Sequence, residues 1–176
     1  MGVAKLILIL LVFVPAVFSQ KEETITVKVY FHPDKLDPEW MDCNKVQAVT
    51  RTIPRTAAVA TAALEELFKG PTPEEKKEYT GFGSPDTTGI LKNVNVKNGV
   101  AYVNFTDRLF EQMGTASTSC GGGFFSMIEA TLKQFPTIKK VVYAVEGNTN
   151  DFYEWAQVGE CPFSKKLCSA SNFRYN

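Results

Sequence analysis

Residues 51–75 constrain the fold of this chain more than any other stretch, because a strand end, a helix and a helix stop follow one another there. Pro54 ends a segment rich in Val and Thr, since proline cannot donate a hydrogen bond to a β-ladder. Gly70 and Pro71 then form a helix stop, because glycine suits the left-handed residue after a helix and proline cannot continue it. Between these signals, apolar residues recur at the spacing of one helix face: Ala60, Ala63, Leu64 and Leu67.

A second helix start follows this stop directly. Thr72 can cap it, Pro73 occupies the first helical position, and Glu75 at the third completes a capping box with Thr72. A short helix over residues 73–79 is therefore predicted. Arg51 and Glu75 could form an ion pair, but surface pairs contribute only about 0–1 kcal/mol. We interpret them as local structure.

Alternating or uniformly apolar stretches elsewhere predict β-strands. Asn98 and Gly99 separate two of these stretches, and Asn-Gly is a strong hairpin signal because both turn residues must tolerate positive φ. Another stretch is an unbroken apolar run, typical of a central strand that is buried on both faces. The predicted strands span residues 24–31, 45–53, 91–97, 100–106 and 140–146.

A second long amphipathic helix is predicted over residues 124–135, and a helical turn over 107–112. The order of elements predicts one α+β domain, with two main helices packed on a mixed sheet of about five strands. We assign residues 20–147 to this domain. Residues 148–176 show no clear period and form a disulfide-stapled C-terminal extension of the same domain.

The first 19 residues have the layout of a secretory signal peptide, with Lys5 before an apolar run of 13 residues. A membrane-spanning helix needs about 20 such residues, which makes an uncleaved anchor the weaker alternative. We expect cleavage before Gln20 and a secreted or extracytoplasmic location in the cell envelope. The balance of 19 basic and 19 acidic side chains favours neither nucleic acid nor an anionic membrane surface as a partner.

Four cysteines in an exported chain predict disulfide bonds. Four cysteines allow three pairings. The short loop between Cys161 and Cys168 favours that pair, which leaves Cys43 with Cys120. Unpaired buried thiols are the alternative. A zinc site is not indicated, because the chain has no CxxC motif and a single histidine, His32.

The chain resembles the GerMN domain family over residues 24–147. The resemblance rests on residues 27–31, the Gly70-Pro71-Thr72 break, residues 98–105, residues 130–136 and the Val145-Glu146-Gly147 segment. It implies an exported domain of the bacterial cell envelope, whose relatives act in assembling spore-envelope complexes or form parts of surface lipoproteins. It brings no catalytic residues and no cofactor. Spore proteins of the family carry a tandem pair of domains, whereas this chain has one copy and a cysteine-containing extension.

The residues themselves support no catalytic, cofactor or metal site. An acidic loop contains Asp34, Asp37, Glu39 and Asp42, but its spacing differs from that of a calcium-binding EF-hand. Ser117, Ser119 and His32 are residue types of a hydrolase triad, without a nucleophile-elbow motif.

Aromatic residues near the C-terminus form the candidate binding surface of the chain: Phe152, Tyr153, Trp155 and Phe163. Exposed together, they could bind glycan or a partner chain; folded back, they would cover the core. The sequence therefore predicts a non-enzymatic envelope domain, of the kind found in sporulation and germination proteins, that acts through protein–protein interaction. The alternative is a binding module for cell-wall glycan or peptide, and a hydrolase with an unrecognised site is a third interpretation.

Overall fold

The computed structural model describes residues 23–82, 87–113 and 121–174. The predicted signal peptide and its cleavage site lie outside these ranges. The strands are β1 (Thr24–Pro33), β2 (Gln47–Pro54), β3 (Tyr79–Thr80), β4 (Leu91–Lys97), β5 (Val100–Phe105) and β6 (Lys140–Val145). The helices are α1 (Val59–Phe68), α2 (Arg108–Met113), α3 (Gly121–Lys133) and α4 (Thr149–Trp155), with 3₁₀ turns at Glu75–Lys77 and Ala170–Phe173. Within the described ranges, no helix is long and apolar enough to cross a membrane.

The first sheet has the order β2-β1-β3, and all its pairings are antiparallel. The alternation that predicted β1 is confirmed, because Val27, Val29 and Phe31 are buried whereas Thr26 and Lys28 are exposed. One face of β1 therefore faces the core.

The second sheet has the order β4-β5-β6. β4 and β5 form the predicted antiparallel hairpin, with φ values of 50° at Asn98 and 81° at Gly99. β5 and β6 run parallel, and β6 is buried at every residue except Lys140. The predicted burial of this strand on both faces is confirmed. Its predicted central position is not, because β6 lies at one end of the sheet.

The predicted single sheet of about five strands is wrong, because the described residues form two three-stranded sheets. Side chains on helices, or next to them, bind free edges of both sheets. On β1, the backbone N–H groups of Lys28 and Tyr30 donate to side chains of Gln134 and Thr131, next to and on α3. On β4, the N–H of Val94 donates to the Thr61 hydroxyl of α1 at 3.3 Å. These contacts occupy edges at which the two sheets could otherwise have joined.

The two sheets share one apolar core. α1 and α3 pack against each other and against β1, and α4 packs against β6. The core draws buried residues from both sheets and all these helices, among them Phe31, Leu64, Leu67, Val103, Phe105, Ile128, Leu132, Tyr143 and Phe152. The α+β class predicted from the sequence is therefore confirmed, with four helices in the described ranges instead of two main ones.

The outer face of the second sheet is covered by the C-terminal segment. A smaller apolar cluster forms there, where Phe173 packs on Tyr102 with ring centroids 5.5 Å apart. Phe163 and Leu167 pack around this cluster. Residues 161–174 thus complete the fold by burying a sheet face.

The helix stop predicted within residues 51–75 is confirmed. Gly70 has a φ of 76°, which L-amino acids with side chains rarely adopt. The Thr72 N–H donates to the Glu75 carboxylate at 2.9 Å, and the Glu75 N–H donates to the Thr72 hydroxyl at 3.3 Å. The capping box is therefore present, on a 3₁₀ turn shorter than the predicted helix.

Candidate functional site

His32 has a structural role at the end of β1. Its ring is 1% exposed and stacks on Trp40 with centroids 3.7 Å apart. Its Nε2 lies 3.0 Å from the Asp37 carbonyl oxygen, and its Nδ1 lies 3.2 Å from that of Lys45. Both ring nitrogens are thus directed at main-chain carbonyls, so this histidine holds the loop in place. The candidate triad residues Ser117 and Ser119 lie outside the described residues.

The Asp37 carboxylate organises the same loop. Its Oδ1 accepts from the Met41 N–H and its Oδ2 from the Asp42 N–H, both at 2.9 Å. The hydrogen bond from Asp42, supported by that from Met41, lowers the pKa of Asp37. Among the residues that the structure describes, no group of three or more His, Cys, Asp or Glu side chains is placed to hold a metal ion.

The C-terminal cysteines form the disulfide that their spacing favours. Cys161 and Cys168 are bonded, with Cα atoms 6.2 Å apart. Cys43 is disulfide-bonded as well, and its predicted partner, Cys120, lies outside the described residues.

The four aromatic residues of the candidate binding surface do not lie together at the surface. Helix α4 turns Phe152 and Tyr153 into the core, where they are 0% and 3% exposed. Phe152 stacks on Tyr143 with ring centroids 4.8 Å apart, and burial raises the pKa of Tyr153 to about 12. These two residues therefore cannot contact a ligand, whereas Trp155 and Phe163 remain partly accessible. Binding by these two stays a prediction.

A cleft of about 760 Å³ lies between the turn after β6 and the C-terminal disulfide loop. Phe163 lines it, together with the charged residues Glu146, Glu160 and Lys165. The cleft therefore offers one aromatic side chain and charges of both signs. The sequence did not indicate it, because residues 146–150 and 160–170 meet only in the folded chain.

An asparagine network, which the sequence analysis missed, fastens the C-terminal segment to the second sheet. The Asn104 amide donates to Asn93 Oδ1 at 3.2 Å, and the Asn93 amide donates to the Phe173 carbonyl at 3.2 Å. Asn104 also accepts from the Gly147 N–H at 2.8 Å. Because Asn93 and Asn104 are buried, these bonds satisfy polar groups that would otherwise oppose burial.

Arg51 and Glu75 form a stronger contact than their interpretation as local structure implied. The two guanidinium nitrogens donate to the two carboxylate oxygens at 2.8 and 2.6 Å, and the side chains are only 14% and 21% exposed. The Arg51 guanidinium also lies 5.8 Å from the centre of the Phe31 ring. The hydrogen bonds from Arg51 lower the pKa of Glu75.

A second groove, of about 460 Å³, follows the free side of β4. The start of α1 forms one wall and the segment after α3 forms the other. Its lining is mostly apolar and includes Ala58, Val94, Val96, Phe135 and Ile138. The sequence predicted β4 as one arm of a hairpin, but only the fold shows that an apolar groove borders its edge.

Comparison with known proteins identifies related domains. The Germane family, described as sporulation and spore germination, matches residues 28–151. No curated protein matches the chain. The solved structures that it resembles include the tandem GerMN domains of the sporulation protein GerM from Bacillus subtilis, at 22% identity and a TM-score of 0.49, covering 81% of this chain and 45% of that one.

Two further structures are similar. The first GerMN domain of the same Bacillus subtilis protein matches at 22% identity and a TM-score of 0.48, covering 80% of this chain and 94% of that domain. A Clostridium perfringens protein described as a lipoprotein matches at 18% identity and a TM-score of 0.37, covering 72% of this chain and 79% of that one. The chain thus spans less than half of the tandem-domain structure and most of a single domain.

Proposed function

Because this chain belongs to the Germane family of sporulation and spore germination domains, we propose that it is an exported, non-enzymatic domain that acts through contacts with other proteins in the cell envelope. The observation that carries the proposal is the extent of the family match. Residues 28–151 run from β1 into α4 and include both sheets. The family match therefore covers both sheets and helices α1 to α3.

The use of His32 supports a non-enzymatic role. It is the single histidine of the chain, and both of its ring nitrogens face main-chain carbonyl oxygens in a buried loop. A triad histidine needs one nitrogen directed at a nucleophile and the other at an orienting acid. The arrangement of His32 is that of a structural residue.

The disulfides support export. Cys161–Cys168 is formed and Cys43 is disulfide-bonded, and such bonds persist mainly in oxidising compartments. We place the domain outside the cytoplasm, delivered by the signal peptide predicted at residues 1–19.

A second candidate function is the binding of cell-wall glycan or peptide. The observation that favours it is the cleft of about 760 Å³ beside the disulfide loop, in which Phe163 is partly accessible. Aromatic side chains beside polar groups are common in small-ligand sites. One side of the cleft, residues 146–150, lies within the family match, and the other side, residues 160–170, lies beyond it.

One experiment separates the two functions. The secreted chain, immobilised through a C-terminal tag, is incubated with solubilised envelope protein, and a parallel sample is sedimented with purified peptidoglycan. We expect a protein partner to be retained in near-equimolar amount, while the domain stays in the supernatant of the peptidoglycan sample. Sedimentation with peptidoglycan that is lost in Phe163→Ala, without retention of any protein, would establish the second function and refute the first.

A further inference from the structure

β4 lies at the edge of its sheet, and alternate residues direct their backbone groups away from β5. In the hairpin, Lys97 pairs with Val100 across a two-residue turn, so alternate residues of β4 direct their N–H and C=O groups towards β5. Val94 belongs to the other set, since its N–H donates outward to the Thr61 hydroxyl. Val96, two residues further on, therefore directs its own N–H and C=O outward.

No described strand or helix bonds to the outward backbone groups of Val96. Among the described residues, its outward N–H and C=O have no hydrogen-bond partner, and its side chain is 40% exposed. The groove of about 460 Å³ lies directly beside it, with Phe135 and Ile138 opposite. The edge thus combines a donor, an acceptor and an apolar trough for alternate side chains.

Lysines lie near one end of this groove, and the N-terminus of α1 lies at the other. At one end, Lys97 ends β4 and Lys139 lies at the hairpin turn, where its N–H donates to the Gly99 carbonyl. Lys140 is farther from this edge, because it lies on β6, beyond β5. In the part of the chain that the structure describes, none of these three lysines forms an ion pair. At the other end, α1 begins without a side-chain cap and without an acidic residue in its first turn.

We propose that the β4 edge accepts an extended, acidic segment of a partner protein as an added strand. Such a segment pairs with Val96 through its backbone, places alternate apolar side chains in the groove, and directs carboxylates to Lys97 and Lys139. A second copy of this chain fits less well, because pairing through the same edge brings Lys97 and Lys139 of both copies into one interface. The inference deepens the proposed function, on which it rests, by naming the surface and the chemistry of the partner.

The test uses a synthetic seven-residue peptide that alternates Val with Glu or Asp, and a control peptide with Lys at every acidic position. The amide signals of the whole secreted chain are followed by NMR during titration with each peptide. We expect the acidic peptide to shift the signals of Val96 and its neighbours, and the Lys peptide to leave them in place. Absence of these shifts, or shifts confined to another surface, would overturn the proposal.

Two matched charge variants sharpen the test. Lys97→Glu combined with Lys139→Glu should weaken binding of the acidic peptide about tenfold. Lys76→Glu combined with Lys77→Glu makes the same change in net charge on the exposed 3₁₀ turn, outside both the groove and the cleft, and should leave binding unchanged. An equal loss of peptide binding in both variants would show that the acidic peptide is attracted non-specifically to positive charge. Unchanged peptide binding with new self-association in the first variant would show that the lysines only protect the edge. Either result contradicts the proposal.

Val96→Pro tests the backbone contact itself. Proline removes the outward N–H and is tolerated on an edge strand at a position that does not pair with its neighbour. We expect the variant to keep its thermal transition and to lose peptide binding. Retained peptide binding would overturn the inference. If Val96→Pro also retained the protein partner captured from the envelope, the proposed function would stand without the contact at the β4 edge.

Discussion

Gln134 binds the backbone of Lys28 through both ends of its side-chain amide. The Lys28 N–H donates to Oε1 at 2.8 Å, and Nε2 donates to the Lys28 carbonyl oxygen at 2.6 Å. A neighbouring β-strand would supply the same donor and acceptor. One side chain therefore takes the place of a strand on β1, and this contact helps to keep the two sheets apart.

Gln134→Ala should destabilise the fold by about 1 kcal/mol, because Lys28 is exposed and water can replace part of the lost bonding. Amide exchange at Lys28 should become faster. Gln134→Glu is the matched variant: it keeps the acceptor and loses the donor, so the Lys28 amide should stay protected. Urea unfolding and hydrogen exchange measure both effects. Unchanged exchange at Lys28 in the alanine variant would contradict this interpretation of the edge.

The elements of this fold could be predicted from local signals, whereas the sheet arrangement could not. The left-handed Gly70 and the Asn98–Gly99 turn depend on residues next to them in sequence, and both are found as predicted. The sheet arrangement involves contacts between distant residues, such as that of Gln134 with the edge of β1, 106 positions away. Such a contact leaves no periodic pattern in the sequence. The sequence therefore predicts one sheet, and this prediction is wrong.

The candidate site was harder to predict for a similar reason. Residues 148–176 showed no period long enough to indicate a helix, although Asn148 caps α4 by accepting from the Asn150 N–H at 3.0 Å. This short helix decides which aromatic residues are buried. Without it, Phe152 and Tyr153 could not be distinguished from the more accessible Trp155.

Glu75→Gln should lower stability at neutral pH by about 1 kcal/mol, because it weakens a two-bonded, partly buried ion pair with Arg51. Hydrogen bonding to Arg51 lowers the pKa of Glu75 from its ordinary value of 4.5. The ionised carboxylate thus contributes stability above about pH 4.5, and the contribution is lost as the pH falls through the lowered pKa. The difference in free energy of unfolding between wild type and variant should shrink over that acidic range.

Glu23→Gln is the control for this prediction. Glu23 pairs with Arg55 at 2.9 Å, but both side chains are largely exposed. Its removal should change the free energy of unfolding negligibly at every pH. An equal effect of the two substitutions would show that burial of the Arg51–Glu75 pair does not matter.

Replacing Cys161 and Cys168 together by alanine should destabilise the C-terminal segment by about 2 kcal/mol, because the bond closes a short loop across a sequence separation of 7. The segment covers the outer face of the second sheet, so its loosening should expose Tyr102 and Phe173. Limited proteolysis should cut residues 156–174 first and leave the rest of the domain intact. Simultaneous digestion of the whole chain would show that the segment is integral to global folding.

Asn93→Ala should release the same segment without touching the disulfide. Asn93 joins Asn104 to the Phe173 carbonyl, and its loss leaves two buried polar groups unpaired, at a cost of about 2 kcal/mol. Asn95→Ala is the comparison: Asn95 donates to Asn172 and Arg174 from a half-buried position, where water can compensate, so its cost should be smaller. Hydrogen exchange at residues 170–174 should increase more in the first variant. The opposite order would locate the main attachment of the segment at Asn95, and the buried asparagine pair would then be secondary to the contacts at the segment's end.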